Sequence, residues 1–133
     1  MSGSRVLVVE DNPVNRRLAV DVLRAVGYEV VEAAGAPEAR DRLAGSLPDC
    51  IVLDVRLSGA DGLALVEELR ADHRTAAIPI VVTTALAMRA DRERILQAGV
   101  DAYLAKPFLP EQLRQAVGAL LKGGRERAEG PRG

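Results

Sequence analysis

Four ionisable side chains stand directly after short apolar runs in this sequence. Glu10 and Asp11 follow Val-Leu-Val-Val, Asp54 follows Cys-Ile-Val-Leu, and Lys106 follows Tyr-Leu-Ala. Short apolar runs of this kind are typical of strands buried on both faces of a parallel sheet. Because ligands bind outside the carboxyl ends of such strands, these four side chains are candidates for one common site.

Three carboxylates at one edge of a sheet would repel one another. A pair about 4 Å apart costs roughly 4 kcal/mol at an effective dielectric of 20, so the cluster needs either a proton or a bound cation. Oxygen ligands without histidine or cysteine favour Mg²⁺ or Ca²⁺ over zinc. Asp54 could then act as a nucleophile toward phosphorus. A hydroxyl from Thr83 or Thr84 and the ammonium of Lys106 would receive the phosphoryl oxygens, with Lys106 offsetting transition-state charge.

The elements that must position these residues alternate between strand and helix. Each apolar run is followed by a segment with helical spacing, which predicts an α/β fold of five βα units with a parallel sheet and right-handed crossovers. The common strand order for five such units is 2-1-3-4-5. In that order strands one and three are neighbours, so the acidic residues that follow them meet. The predicted strands are 5–10, 28–32, 49–54, 78–84 and 101–105.

The first helix has one apolar stripe, and the chain ends have a different composition from the rest. Val14, Leu18, Val22 and Val26 recur every four residues, the pattern of a helix packed against a core.

A loop is predicted over 55–60. Glycine and charge dominate 123–133, which predicts a flexible charged tail. The domain is therefore predicted to span 5–122, after an amino-terminal extension of residues 1–4.

Length and composition restrict the class of protein. The chain has 133 residues, 48% apolar and 28% charged, with a net charge of −1. This composition is typical of one globular domain and lacks the basic character of a nucleic-acid-binding surface. The single cysteine, Cys50, can form neither an internal disulfide nor a zinc site. Since no apolar run approaches the roughly 18 residues of a membrane span, we expect a cytoplasmic protein without membrane insertion.

In this order, the motifs resemble the receiver domain of two-component response regulators, which has the CheY-like variant of the flavodoxin-like fold. The resemblance covers residues 5 to about 122. It is carried by Glu-Asp-Asn at 10–12, the strand ending at Asp54, Thr-Ala at 84–85, and Tyr-Leu-Ala-Lys-Pro-Phe at 103–108. The tract at 85–88 and the helix containing 93–95 are similar to single-domain regulators of bacterial cell-cycle and polarity signalling.

The resemblance implies a phosphorylation site and a magnesium site. Asp54 would accept the phosphoryl group and also bind the ion. Asp11 would bind Mg²⁺ directly, and Glu10 would do so through water. The backbone carbonyl of Arg56 would complete the protein ligands.

The resemblance also implies a set of residues around the phosphoryl group. Thr84, rather than Thr83, would bond one phosphoryl oxygen and Lys106 another. Tyr103 would be the switch residue whose ring turns inward when Thr84 moves, and the bond before Pro107 would be cis.

Two residues that flank the phosphoryl entrance, Arg56 and Leu86, are expected to tune the lifetime of the phosphoryl group. The implied partners are a histidine kinase or a histidine phosphotransfer protein, and an unknown downstream protein. The downstream protein would bind the face formed by helix four, strand five and helix five. The chain would be a switch without an attached effector, catalysing its own phosphorylation and dephosphorylation rather than acting as a turnover enzyme.

Three other functions fit parts of the sequence. One is a receiver-like binding module that is not phosphorylated. Another is a phosphohydrolase with an aspartyl nucleophile, which requires a general acid two residues later, where this chain has Arg56. The third is a flavin-binding protein, for which Glu10 and Asp11 would repel the phosphate that the loop must hold.

Overall fold

The computed structural model describes residues 3–57, 60–85 and 89–128. Within them, strands and helices alternate as predicted, and the strand boundaries lie within two residues of the predicted ones. The strands of the main sheet are β1 (Arg5–Val9), β2 (Glu29–Ala33), β3 (Cys50–Asp54), β4 (Ile80–Thr84) and β5 (Ala102–Ala105). The helices are α1 (Pro13–Ala25), α2 (Ala36–Gly45), α3 (Gly62–Ala71), α4 (Arg89–Gln97) and α5 (Pro110–Ala128).

The five strands form one parallel sheet in the order β2-β1-β3-β4-β5, which confirms the predicted topology. Because β1 lies beside β3, the chain segments that leave these two strands start next to each other. On the other side of β3, Asp54 is directly opposite Thr83 of β4. The topology therefore brings the predicted site residues to one edge of the sheet.

An aliphatic core covers both faces of the sheet. On one face, buried side chains of α1 and α5 pack over β1 and β3, with Leu23, Val52 and Leu113 almost fully buried. On the other face, α2, α3 and α4 pack over the same strands, with Leu53 and Ile95 buried. The strands are apolar on both sides because both sides are covered by helices.

The inward face of α1 is only partly the predicted one: Val22 of the predicted stripe packs against the core, but the centre of the buried face lies elsewhere. Val20 and Leu23 are buried, whereas Val14 and Leu18 of the predicted stripe are 67% and 60% exposed. Each residue of a helix turns the chain by about 100°, so Val20 and Leu23 lie on the opposite side from Val14 and Leu18. The orientation is fixed at the start of the helix, where the Asn12 side chain caps the first turn immediately after the loop that leaves β1.

A short hairpin occupies the segment that was predicted to be a loop after β3. Arg56–Leu57 pairs antiparallel with Ala60–Asp61, and the amide of Gly62 donates a 2.7 Å hydrogen bond to the carbonyl of Val55. A Cβ on Gly62 would lie 2.5 Å from the carbonyl oxygen of Asp54. Only glycine therefore allows the hairpin to return this close to the end of β3.

The last helix is longer than predicted and has an unexpected cap. It continues through Ala128, so six residues of the predicted flexible tail are helical; residues 129–133 lie outside the described part. Arg, Glu and Ala, which are good helix formers, follow the two glycines of this segment and favour its continuation. Leu109 offers no capping oxygen, but its amide donates to Oε1 of Gln112 at 2.7 Å, as in one half of a capping box.

Among the residues described here, none of the helices combines the length and the apolar character needed to cross a membrane.

The contact at Gly62 predicts a pair of opposite stability effects. Gly62→Ala should destabilise the fold by about 1–3 kcal/mol, because the new methyl group overlaps backbone atoms that cannot move independently. Gly45→Ala should stabilise it by up to about 1 kcal/mol, because Gly45 is helical and a Cβ there meets nothing within 4 Å. Urea denaturation of both variants measures this. Equal stabilities would contradict the close approach at Gly62.

Candidate functional site

The three predicted acidic residues form one cluster at the carboxyl edge of the sheet. Glu10 directly follows β1, Asp11 is the next residue, and Asp54 ends β3. Each contributes one carboxylate oxygen to a group whose members all lie within 4.8 Å of one another. Glu10 and Asp54 are only 6% and 5% exposed, so water screens their repulsion poorly.

The ammonium of Lys106 lies between two of these carboxylates. Its Nζ is 3.0 Å from Oδ2 of Asp54 and 3.2 Å from Oε1 of Glu10. The backbone amide of Lys106 donates a 2.7 Å hydrogen bond to the carbonyl of Thr84, and the peptide bond between Lys106 and Pro107 is cis. The end of β5 therefore directs this lysine across the sheet edge to acids that precede it by 52 and 96 residues.

The hairpin after β3 holds the second oxygen of Asp54. The backbone amide of Arg56 donates to Oδ1 at 3.0 Å. Arg56 faces Asp61 in the hairpin, and the Gly62–Val55 hydrogen bond comes at the next pair. Since bonded and non-bonded pairs alternate in antiparallel strands, the Arg56–Asp61 pair is a non-bonded one. The hairpin pairing therefore does not use the carbonyl of Arg56, which lies on the same side of the strand as the Arg56 amide.

Burial and mutual repulsion change the proton affinities of the cluster. Burial, the hydrogen bond with Asp54 and the charge of Asp54 raise the pKa of Glu10, although the Asn12 amide and Lys106 oppose this. Burial by itself would lower the pKa of Lys106, but its hydrogen bonds and charge attraction to Asp54 and Glu10 raise it overall. The charged form of Lys106 is therefore favoured, whereas the charged form of Glu10 is disfavoured.

The donor set fits a hard divalent cation. The cluster offers only carboxylate and carbonyl oxygens, which Mg²⁺ prefers. The carboxylate oxygens lie within 4.8 Å of one another, near enough for one ion to be shared among them. Three carboxylates and one ammonium, when all are ionised, carry two net negative charges. That is the charge one divalent cation neutralises.

Two other residues implied by the resemblance, Thr84 and Tyr103, lie on β4 and β5. Thr84 is fully buried at the end of β4. Because side chains alternate along a strand, Thr84 shares a face with Val82, whose partner on β5 is Tyr103. Tyr103 is half-buried and packs against the core on the α3 and α4 side. Leu86 lies outside the described residues.

Arg16 is a residue near the site that the sequence did not indicate. Its Nη1 donates to the backbone carbonyl of Glu10 at 2.8 Å, and its Nε lies 3.2 Å from Oε1 of Glu32. No motif marks this arginine, since its two partners lie six residues before it and sixteen residues after it. No motif marks Gly62 either, because its close approach to Asp54 depends on the hairpin.

The fold is a five-stranded parallel sheet covered by helices on both faces, with an acid–lysine cluster at its carboxyl edge. The profile of the response regulator receiver domain matches residues 6–118. The chain belongs to this family, whose members act in two-component signalling.

Relatives and solved structures are similar over nearly the whole chain. The polar-differentiation response regulator DivK of Brucella ovis is 39% identical over 116 residues, covering 87% of this chain and 94% of the relative. A putative response regulator from Chloroflexus aurantiacus superposes with a TM-score of 0.86 at 35% identity, covering 91% of this chain and 99% of the other. The receiver domain of a sensor histidine kinase from Pseudomonas aeruginosa, with a magnesium ion coordinated in its active-site cleft, has a TM-score of 0.83 at 37% identity, covering 92% and 100%.

The raised pKa of Glu10 predicts a pH-dependent effect on stability. In EDTA at pH 7, Glu10→Gln should melt at a higher temperature than wild type, because the neutral amide avoids the cost of a buried charge. An acid with a raised pKa in the folded state loses stability as the pH rises from its unfolded-state pKa through the folded-state value. The advantage should therefore vanish below about pH 4.3, the ordinary pKa of glutamate.

Thermal melts of Glu10→Gln, wild type and the exposed control Glu67→Gln measure this effect. A Glu10→Gln protein that is less stable than wild type at pH 7 would show that the Lys106 and Asn12 bonds outweigh the cost of burying the charge.

Proposed function

We propose that this protein is a phosphorylation switch that accepts a phosphoryl group on Asp54 with the help of Mg²⁺. The observation that carries the proposal is the pair of hydrogen bonds to Asp54, from Lys106 on one oxygen and from the Arg56 amide on the other. These donors hold the carboxylate in one orientation beside Glu10 and Asp11. A carboxylate that served only to cap a loop would not require a half-buried lysine from the end of another strand.

The proposed reaction is an attack by a carboxylate oxygen of Asp54 on the phosphorus of a phosphohistidine. The new P–O bond forms as the P–N bond breaks, and the histidine nitrogen leaves with the electron pair of that bond. Lys106 already lies 3.0 Å from Asp54 and offsets the charge that gathers on the phosphoryl oxygens. The hydroxyl of Thr84 is the proposed donor to a second phosphoryl oxygen.

Asp11, Asp54 and the carbonyl of Arg56 would hold the magnesium ion, with Glu10 acting through a water molecule. The ion would supply charge neutralisation for the incoming phosphoryl group. The protein's own contribution is to gather these oxygens before binding, so that little rearrangement is needed. The position of Arg56, two residues beyond Asp54, also makes its exposed side chain a candidate, with Leu86, for setting how long the phosphoryl group persists.

The partners that follow from this function are a histidine kinase or a histidine phosphotransfer protein as donor and another protein as receiver of the signal. The location that we propose for the protein is the cytoplasm. The signal would leave through the face of α4, β5 and α5. In the proposed switch, Thr84 moves toward the phosphoryl group and the ring of Tyr103 follows it inward, which requires phosphorylation to favour that state in free energy.

Phosphorylation should depend on Asp54 and on the metal. With acetyl phosphate and Mg²⁺, wild type should gain the mass of one phosphoryl group, whereas Asp54→Asn should gain none, because an amide is not a nucleophile of this kind. EDTA should also abolish the gain. Intact-protein mass spectrometry measures it, with exposed Asp41→Asn as the matched control that keeps full labelling. Labelling of Asp54→Asn to the wild-type extent would place the phosphoryl group elsewhere.

The switch should depend on Thr84 and not on Thr83. With Mg²⁺ and beryllofluoride, a phosphoryl mimic, wild type should show changed amide signals around Tyr103, because Thr84 shares its face of the sheet. In Thr84→Ala these changes should shrink, whereas Thr83→Val should keep them. Two-dimensional NMR measures both. The reverse pattern would assign the coupling to Thr83, which lies directly opposite Asp54.

A further inference from the structure

Arg16 is a largely buried cation attached to the loop that carries two of the acids. It lies on the inward face of α1 with Val20 and Leu23, and its side chain is 21% exposed. Its guanidinium makes two contacts at once, from Nη1 to the carbonyl of Glu10 and from Nε to the carboxylate of Glu32. An arginine can span two such acceptors because its donors form a rigid planar fork.

The amide, the carbonyl and the carboxylate of Glu10 all form hydrogen bonds, and Arg16 supplies the one to the carbonyl. The Glu10 amide donates to the carbonyl of Ala33 at 3.0 Å, and its carbonyl accepts from Arg16. Its carboxylate accepts from the Asn12 amide at 3.1 Å and from Lys106. Asp11 is the single residue between Glu10 and Asn12, so the position of its backbone is set by the same bonds.

The second partner of Arg16, Glu32, lies on β2. Glu32 is opposite Val8 of β1 in the sheet register, and a second arginine, Arg24, lies 4.0 Å from its other oxygen. Arg24 also donates to the carbonyl of Val30 at 3.2 Å. Arg16 therefore connects the loop of Glu10 and Asp11 to a strand that contributes no residue to the acid cluster.

We propose that Arg16 is a positioning residue that sets the affinity of the acid cluster for the divalent cation. The proposal rests on the function proposed above. Arg16 has two effects of opposite sign: its positive charge repels a cation, and its bond to Glu10 keeps the loop in the conformation that binds one. We infer that the positioning effect is the larger, because the guanidinium binds the Glu10 backbone directly while its charge is paired with Glu32.

The substitution Arg16→Lys separates the two effects, because lysine keeps the positive charge but lacks the planar guanidinium that binds two acceptors at once. Mg²⁺ titration of the full chain should give a half-saturating concentration about 10-fold above wild type, the lower end of the range for groups that orient metal ligands. Amide NMR shifts follow the titration, since the protein has no tryptophan. Arg16→Gln should weaken binding at least as much. Arg17→Lys is the matched control, since Arg17 is exposed and pairs with Asp21; it should stay within twofold.

A second readout separates positioning from general damage to the fold. The rate of labelling by acetyl phosphate at saturating Mg²⁺ should be unchanged in Arg16→Lys, whereas the Mg²⁺ concentration for half the maximal rate should rise with the binding constant. A lower rate at saturating metal would mean that the reacting groups themselves are displaced, which would overturn the proposal.

The outcomes distinguish this inference from the proposed function. Wild-type affinity in Arg16→Lys with tighter binding in Arg16→Gln would show that only the charge acts, and would refute the positioning role. Wild-type protein that binds no Mg²⁺ would refute the proposed function itself. If Arg16→Gln fails to fold at the assay temperature, Arg16→Lys alone decides.

Discussion

The structure depends on the repulsion between carboxylates that the sheet places at one edge and on the lysine that offsets it. Glu10 and Asp54 are nearly buried, and each of two buried acids makes the other less stable in its charged form. Lys106 lies within hydrogen-bond distance of both, yet one ammonium cannot neutralise three carboxylates. The residual negative charge disfavours the fold, and in the function proposed above it is also what attracts the divalent cation.

Each strand end contributes something different to this balance, and the contributions come from distant parts of the sequence. The end of β1 supplies Glu10 and Asp11, the end of β3 supplies Asp54, and the end of β5 supplies Lys106. The hairpin after β3 supplies an amide to Asp54 through Arg56 and can form only because Gly62 has no side chain. Gly62 and Arg16 thus lie against the backbone of Asp54 and Glu10, although neither contributes a side chain to the acid cluster.

Much of the fold and of the candidate site could be predicted because the signals are local. Strands buried on both faces are read from apolar runs, and the alternation with helices gives the order that makes β1 and β3 neighbours. The residue that follows each run, such as Asp54 or Lys106, is then placed at the sheet edge by chain geometry alone. The inward face of α1 could not be predicted in this way, because that helix carries apolar residues on two sides and the loop from Glu10 to Asn12 decides its rotation.

The parallel sheet, its strand order and the convergence of the acids with Lys106 can all be read from the residues along each strand, since they follow from residue type and position. The buried side of α1, the hairpin after β3 and the bond from Arg16 to the Glu10 carbonyl become visible only in the folded chain. These features depend on distances between segments that are brought together by packing, and no local pattern of residues encodes such a distance.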